Sequence, residues 1–140
     1  MTTRIILISC CKQKLEGKHK ARDLYISSLF KRSLKYAESI DHDKIFIFSA
    51  KYGLVEMEQE IKSYDLTLNN QKKSFRENWA NEVFEKLKKI TDIEKNEYLF
   101  LTGKKYSEYL IPKLKHTKDP MKGLSQGKRL AWLKKETENE

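Results

Sequence analysis

Three short apolar runs recur along the chain, and each ends in a hydroxyl residue with lysine close behind. Ile5 to Ile8 stops at Ser9 and passes through Cys10 and Cys11 to Lys12; Ile45 to Phe48 stops at Ser49, followed by Ala50, Lys51, Tyr52 and Gly53. Tyr98 to Leu101 stops at Thr102, followed by Gly103, Lys104 and Lys105. Uninterrupted apolar runs of this length predict strands buried on both faces, as in a parallel sheet. The expected strands are residues 4–9, 44–49 and 97–102. Between them, Leu29, Phe30, Leu34, Ala37 and Ile40 recur at helical spacing, predicting a helix over residues 26–40 capped by Ser27 or Ser28. Phe75, Trp79, Val83, Leu87 and Ile90 form a second stripe over residues 71–90, with Asn70 as its expected cap. A third helix is expected over residues 105–115, interrupted by Pro112, and a last one over residues 125–136 with Leu130, Trp132 and Leu133 inward. Residues 10–25 and 50–70 read as long irregular segments, the kind that often carry function.

This alternation predicts a small three-layer α/β domain, Rossmann-like, with a mostly parallel central sheet covered by helices. Residues 1–136 form the expected single domain and residues 137–140 a frayed tail. The stretch from Ile45 to Val55 reads as the middle of three parallel strand ends. Ligands of such sheets sit beyond the strand carboxyl ends, so the site is expected there.

Charge adds a direction to this picture. The net charge of +9 is distributed as +5 over residues 1–22, −1 over residues 23–102, +8 over residues 103–135 and −3 over the last five. The basic excess thus falls in the first strand-end loop and the last third, which a parallel sheet can bring together; such a field suits a polyanion or a phosphorylated small molecule. Lysine supplies 24 of the 29 basic residues and arginine five. Base and phosphate forks lean on arginine, so a lysine-rich solvated surface is the competing reading. No apolar run approaches a membrane span, and Met1 to Arg4 leads straight into a strand without a secretory apolar region. Two adjacent cysteines give no disulfide framework, so a cytoplasmic location is expected. The three histidines are scattered without zinc-site spacing, and no metal or cofactor is expected.

Candidate chemistry gathers at the three strand ends. Cys10, flanked by Lys12 and Lys14, is a candidate nucleophile with no neighbouring histidine as its base; a small residue at a tight strand exit explains it as well. Arg22, Asp23 and Tyr25 set a fork donor, a carboxylate and a phenol just before a helix, where Asp23 is either a cap or an acid–base group. Asp65 beside Tyr64 offers a second carboxylate. Ser49, Lys51, Tyr52 and Gly53 are candidate ligand contacts, with the glycine relieving a left-handed position or allowing close approach. Gly103 opens a helix whose amides could hold an anion, but the spaced glycines of a P-loop are missing. Gly123 to Arg129 is one residue short of Walker spacing and ends in arginine, which argues against a nucleoside triphosphatase.

These motifs occur in a fixed order: Ser9-Cys10-Cys11-Lys12-Gln13-Lys14, Ala21-Arg22-Asp23-Leu24-Tyr25, Ser49-Ala50-Lys51-Tyr52-Gly53-Leu54-Val55 and Tyr64-Asp65. With Gly123-Leu124, Gly127 and Arg129-Leu130-Ala131-Trp132 closing the chain, the set resembles a family of small bacterial and phage proteins of unassigned function. That family is distantly similar to YaaA-type peroxide-stress proteins and to a domain of archaeosine synthase and archaeal tRNA-guanine transglycosylase proteins. The resemblance implies cleavage or exchange of an N-glycosidic bond, or handling of a modified base, on a nucleotide, nucleobase, DNA or tRNA. It carries over Cys10, Lys12, Arg22, Asp23, Lys51 and Asp65 as site residues, with Cys11 standing where the family pattern has a small residue such as glycine. The expectation is therefore a glycosylase-like or transglycosylase-like enzyme. Asp23 or Asp65 would steady an oxocarbenium-like state or act as acid–base, and Cys10 would lie in or beside the pocket. Lys12, Arg22, Tyr25, Ser49, Lys51, Tyr52, Gly53, Gly103 and Arg129 would contact the substrate. The alternative is a non-catalytic nucleic-acid-binding stress or phage protein using its basic carboxy-terminal third.

Overall fold

The computed structural model describes residues 3–138. Its main sheet has five strands in the order β4-β3-β1-β6-β7, with β1 (Arg4–Ser9), β3 (Lys44–Ser49), β4 (Gly53–Glu56), β6 (Glu97–Leu101) and β7 (Thr117–Lys118). β3 and β6 flank β1 in parallel register, β7 extends the parallel set beyond β6, and β4 returns antiparallel on β3. The central strand is therefore β1, not the 44–49 strand: its Ile5, Ile6, Leu7 and Ile8 are at most 2% exposed. Each such side chain contributes roughly 1.5–3 kcal/mol of burial.

The one-turn helix α1 (Ala21–Leu24) makes part of the expected irregular segment 10–25 helical and places Asp23 within it rather than as a cap. β1 leads through α1 and then α2 (Ser28–Ser39) to β3, and β3 leads through α3 (Lys73–Ile90) back across β1 to β6. These two crossovers run in opposite directions, so right-handedness sets α2 and α3 on opposite faces. The result is three layers around a mostly parallel sheet. α5 (Gln126–Thr137) joins α2, with Tyr36 edge-on to Trp132 at 5.2 Å and Arg32 donating to the Thr137 hydroxyl. α3 packs Trp79 edge-on to Phe48 at 5.3 Å.

Several expected boundaries move, each for a local reason. The segment 50–70 is not irregular: Gly53, at φ +76°, turns the chain into β4, and β5 (Glu60–Lys62) pairs antiparallel with β2 (Lys18–Lys20) in a separate ribbon. Long-range pairing of these polar strands leaves almost no periodic trace in the sequence. The 105–115 helix reduces to one turn, α4 (Lys104–Ser107), and a 3-10 turn at Ile111–Lys113 with Pro112 in its first turn. Ser27 caps α2 by accepting from the Phe30 amide, but α3 starts after Lys72 with no side-chain cap, so Asn70 does not serve. On α3 the predicted stripe is rotated. Phe75 and Ile90 are 40% and 46% exposed, while Arg76 is buried against Glu108. α5 runs through Thr137, which is buried and bonded to the Leu133 carbonyl; of the expected frayed tail, residues 139–140 lie outside the described residues. No helix of the described residues is long and apolar enough to cross a membrane.

Candidate functional site

The carboxyl ends of β1, β3 and β6 deliver Cys10, Ser49 and Thr102 to one edge of the sheet. The β1 ladder continues one residue further, since the Cys10 amide donates to the Phe48 carbonyl at 2.8 Å. That bond fixes a buried thiol whose Sγ lies 3.1 Å from Tyr106 Oη. Burial pushes the Cys10 thiol up from its ordinary value, against the opposing pull of hydrogen bonds from Tyr106 and Tyr64 and of the Lys14 charge. It is a protonated thiol at neutral pH rather than a preformed thiolate.

Beside it runs a chain of hydroxyls. The Tyr52 amide donates to Ser49 Oγ at 3.0 Å, Ser49 Oγ donates to Tyr64 Oη at 2.8 Å, and Tyr64 Oη shares a 2.7 Å bond with Tyr25 Oη. Trp79 Nε1 holds the Ser49 carbonyl at 2.9 Å. Burial also pushes the phenols of Tyr25, Tyr64 and Tyr106 well above the usual tyrosine range, with the nearby thiol adding to the effect. Lys14 closes the group from the solvent side, its Nζ 4.5 Å from the Tyr64 ring centre.

Next to this network is a narrow cleft between the ends of β1 and β6. It is lined by Ser9, Cys10 and Cys11 from the first strand end, Leu101, Thr102 and Gly103 from the other, the start of α2, Met121 and Arg129. Chain connections leave these two strand ends in opposite directions, which makes this the switch point where parallel sheets bind ligands. Arg129 is anchored by Nε donating to the Leu124 carbonyl at 3.0 Å. The Asp119 carboxyl is raised by burial, against the opposing charges of Arg129 and Lys122.

The expected site residues divide accordingly. Cys10, Tyr25 and Ser49 meet in the network; Tyr52 stands at its rim, 37% exposed and edge-on to Tyr64 at 5.6 Å. Gly53 serves the turn into β4, and Gly103 and Arg129 line the cleft. Lys12 and Lys51 are exposed, with Lys51 Nζ 5.4 Å from the Tyr52 ring centre. Arg22 is engaged elsewhere, by Glu38 at 3.0 Å and Glu58 at 3.2 Å. Asp23 and Asp65 are exposed, and neither has a hydrogen bond or ion pair among the described residues. Tyr106 and Thr102 are not among the expected site residues, while Tyr64 and Lys14 figure in the sequence only as neighbours of Asp65 and Cys10, and Ser27 only as a helix cap. The one sequence signal for Thr102 was its place as the hydroxyl closing the third apolar run. Among the described residues no three His, Cys, Asp or Glu side chains gather as a metal site.

The family model covering this edge decides the kinship. The chain belongs to DUF6884, a family of unknown function. The match spans residues 5–135, from β1 into α5, so the DUF6884 domain contains the hydroxyl network and the whole cleft lining. No curated protein and no solved structure matches the chain.

Proposed function

We propose that this DUF6884 domain is a nucleobase- or nucleoside-processing enzyme that cleaves or exchanges an N-glycosidic bond, or handles a modified base, at the carboxyl edge of β1, β3 and β6. The observation that carries the reading is the switch-point cleft lying directly against the Cys10–tyrosine network. The cleft offers apolar walls and a few converging polar groups at the edge where such sheets bind ligands, and a base would lie outside it, along the edge that carries the tyrosines. The motif resemblance to YaaA-type and transglycosylase-associated domains points the same way.

Asp23 and Asp65 are the proposed carboxylates. Asp23 lies in the short helix α1 two residues before Tyr25, and Asp65 directly follows Tyr64, so the 2.7 Å Tyr25–Tyr64 bond supports their sharing one rim. In this reading one of them faces the developing oxocarbenium charge, as the paired carboxylates of glycoside hydrolysis do. Tyr52 offers an exposed ring for stacking a base. Because Arg22 is held by two glutamates, the arginine for a substrate anion is Arg129 instead.

Incubation with modified and unmodified DNA and tRNA, with released base followed by mass spectrometry, tests the reading. The expected result is base release that Asp23→Asn or Asp65→Asn abolishes; full activity in both variants would remove the carboxylate mechanism. A second reading, nucleic-acid binding without catalysis, is favoured by the exposed Lys104, Lys122, Lys128, Lys134 and Lys135 of the basic last third. Lys115 and Lys118 are already paired with Glu94 and Glu97. Filter binding across a salt series separates the two readings, since polymer binding requires a steep slope.

A further inference from the structure

We infer that the cleft between β1 and β6 is an anion subsite that takes a phosphoryl group. Three independent features line the same small space. The first is the start of α2, a 12-residue helix whose Ser27 cap satisfies the Phe30 amide. The Ser28 and Leu29 amides, at the first two helical positions, have no partner among the described residues, and Ser27 and Leu29 line the cleft. The second is Thr102, 5% exposed, whose buried hydroxyl has no hydrogen-bond partner among the described residues. A buried orphan hydroxyl on a cleft wall needs a ligand or a water to satisfy it.

The third is Arg129. The other four arginines have a side-chain partner: Glu97 for Arg4, Glu38 and Glu58 for Arg22, Thr137 for Arg32 and Glu108 for Arg76. Arg129 is half-buried and fixed through Nε, yet its two terminal nitrogens make no hydrogen bond or ion pair among the described residues. A guanidinium anchored at one end and open at the other is prepared for a bidentate anion. Gly103 leaves it room, since a Cβ there would stand 3.3 Å from Nη1.

Size narrows the ligand. The cleft is small, with about 30 Å³ of room for water-sized atoms and one side open to solvent. That is space for roughly two or three such atoms, enough for the oxygens of a phosphoryl group but not for a base. The rest of the ligand must leave through the open side, along the edge that carries Cys10 and the tyrosines. That it is a nucleotide rests on the function proposed above; that the cleft binds phosphate does not.

Calorimetry and thermal melting of the full chain test both parts, with inorganic phosphate, a nucleoside 5′-monophosphate, the matching nucleoside, and a 5′-phosphorylated oligonucleotide, at constant ionic strength in chloride. Phosphate is expected to bind and raise the melting temperature. Arg129→Gln is expected to weaken it about tenfold or more. Gly103→Ala, which crowds the fork without removing its charge, should weaken it as well. Thr102→Val removes an orphan hydroxyl, so it should melt no lower than the parent protein while responding less to phosphate. Phosphate that has no effect on the parent protein, or acts equally on Arg129→Gln, overturns the subsite. If phosphate binds and the monophosphate binds no better, the subsite stands and the nucleotide assignment falls. Tighter binding of the oligonucleotide than of the monophosphate assigns the phosphate to a nucleic-acid end instead.

Discussion

Tyr64→Phe should cost more stability than Tyr25→Phe, although Tyr64 is the more exposed of the two rings. The hydrogen-bond chain runs from the Tyr52 amide to Ser49 Oγ, to Tyr64 Oη and on to Tyr25 Oη, at 3.0, 2.8 and 2.7 Å. Removing the Tyr64 hydroxyl breaks the last two bonds together. Ser49, 0% exposed, then has a hydroxyl proton with no acceptor, and Tyr25, 1% exposed, has a phenol with no partner. A stranded buried polar group costs about 1–3 kcal/mol, so two of them bring Tyr64→Phe to about 2–6 kcal/mol. Removing the Tyr25 hydroxyl breaks one bond, leaves Ser49 donating to Tyr64 and costs about 1 kcal/mol. For a domain of 140 residues this converts to a melting-temperature loss of roughly 6–24 °C against roughly 3–4 °C. Urea unfolding of both variants and of the double variant measures the difference, and the double should be close to Tyr64→Phe alone because the two share a bond. Equal losses, or a larger loss for Tyr25→Phe, would refute the chain as drawn.

Three other outcomes follow from the same buried edge. The Cys10 thiol and the Tyr25, Tyr64 and Tyr106 phenols all have folded pKa values raised above their ordinary 9.0 and 10.0, chiefly by burial. The unfolded chain therefore loses its protons first: stability is fully present below pH 9 and falls as pH rises, by about 1.4 kcal/mol per pH unit for each group in its window. Urea midpoints measured from pH 8 to 11 should decline from pH 9 and steepen beyond 10, and a flat profile would contradict the burial argument. With a thiol titration reagent at neutral pH, half-buried Cys11 should react first and Cys10 only on unfolding; equal native rates would mean that Cys10 is accessible. Arg76→Met should lose about 2 kcal/mol by urea titration, because Glu108, 3.4 Å away with an 18% exposed side chain, keeps a charge without its partner. No measurable loss would show that water already compensates Glu108.

The parallel core was legible because its physics is local. A strand buried on both faces must be apolar throughout, and the runs at Ile5, Ile45 and Tyr98 state that without reference to anything distant. Strand order is not local. Nothing in the three runs distinguishes β1 as the centre, because the sequence of elements fixes which strands exist but not which side of β1 each one joins. The β2–β5 ribbon escaped for a related reason: Lys18-His19-Lys20 and Glu60-Ile61-Lys62 have one partly buried and one buried position between them, and their pairing rests on register and on the exposed ion pair Lys18–Glu60.

The same distinction governs the site. Cys10, Ser49 and Gly103 could be found because they sit at strand ends, where topology alone brings them to one edge. The partners that give this edge its character come from far away in the chain: Tyr106 meets Cys10 across 96 residues, and Tyr64 meets Tyr25 across 39. Each of these tyrosines reads as an ordinary core aromatic until its hydroxyl is followed to its acceptor. Arg22 shows the converse, since its motif stands out in the sequence while Glu38 and Glu58 neutralise its fork in the fold. A charged side chain is available to a ligand only when the fold leaves it without a protein partner. By that criterion the arginine to follow is Arg129, and the cleft that it lines with Thr102 and the start of α2 is where a phosphate should first be sought.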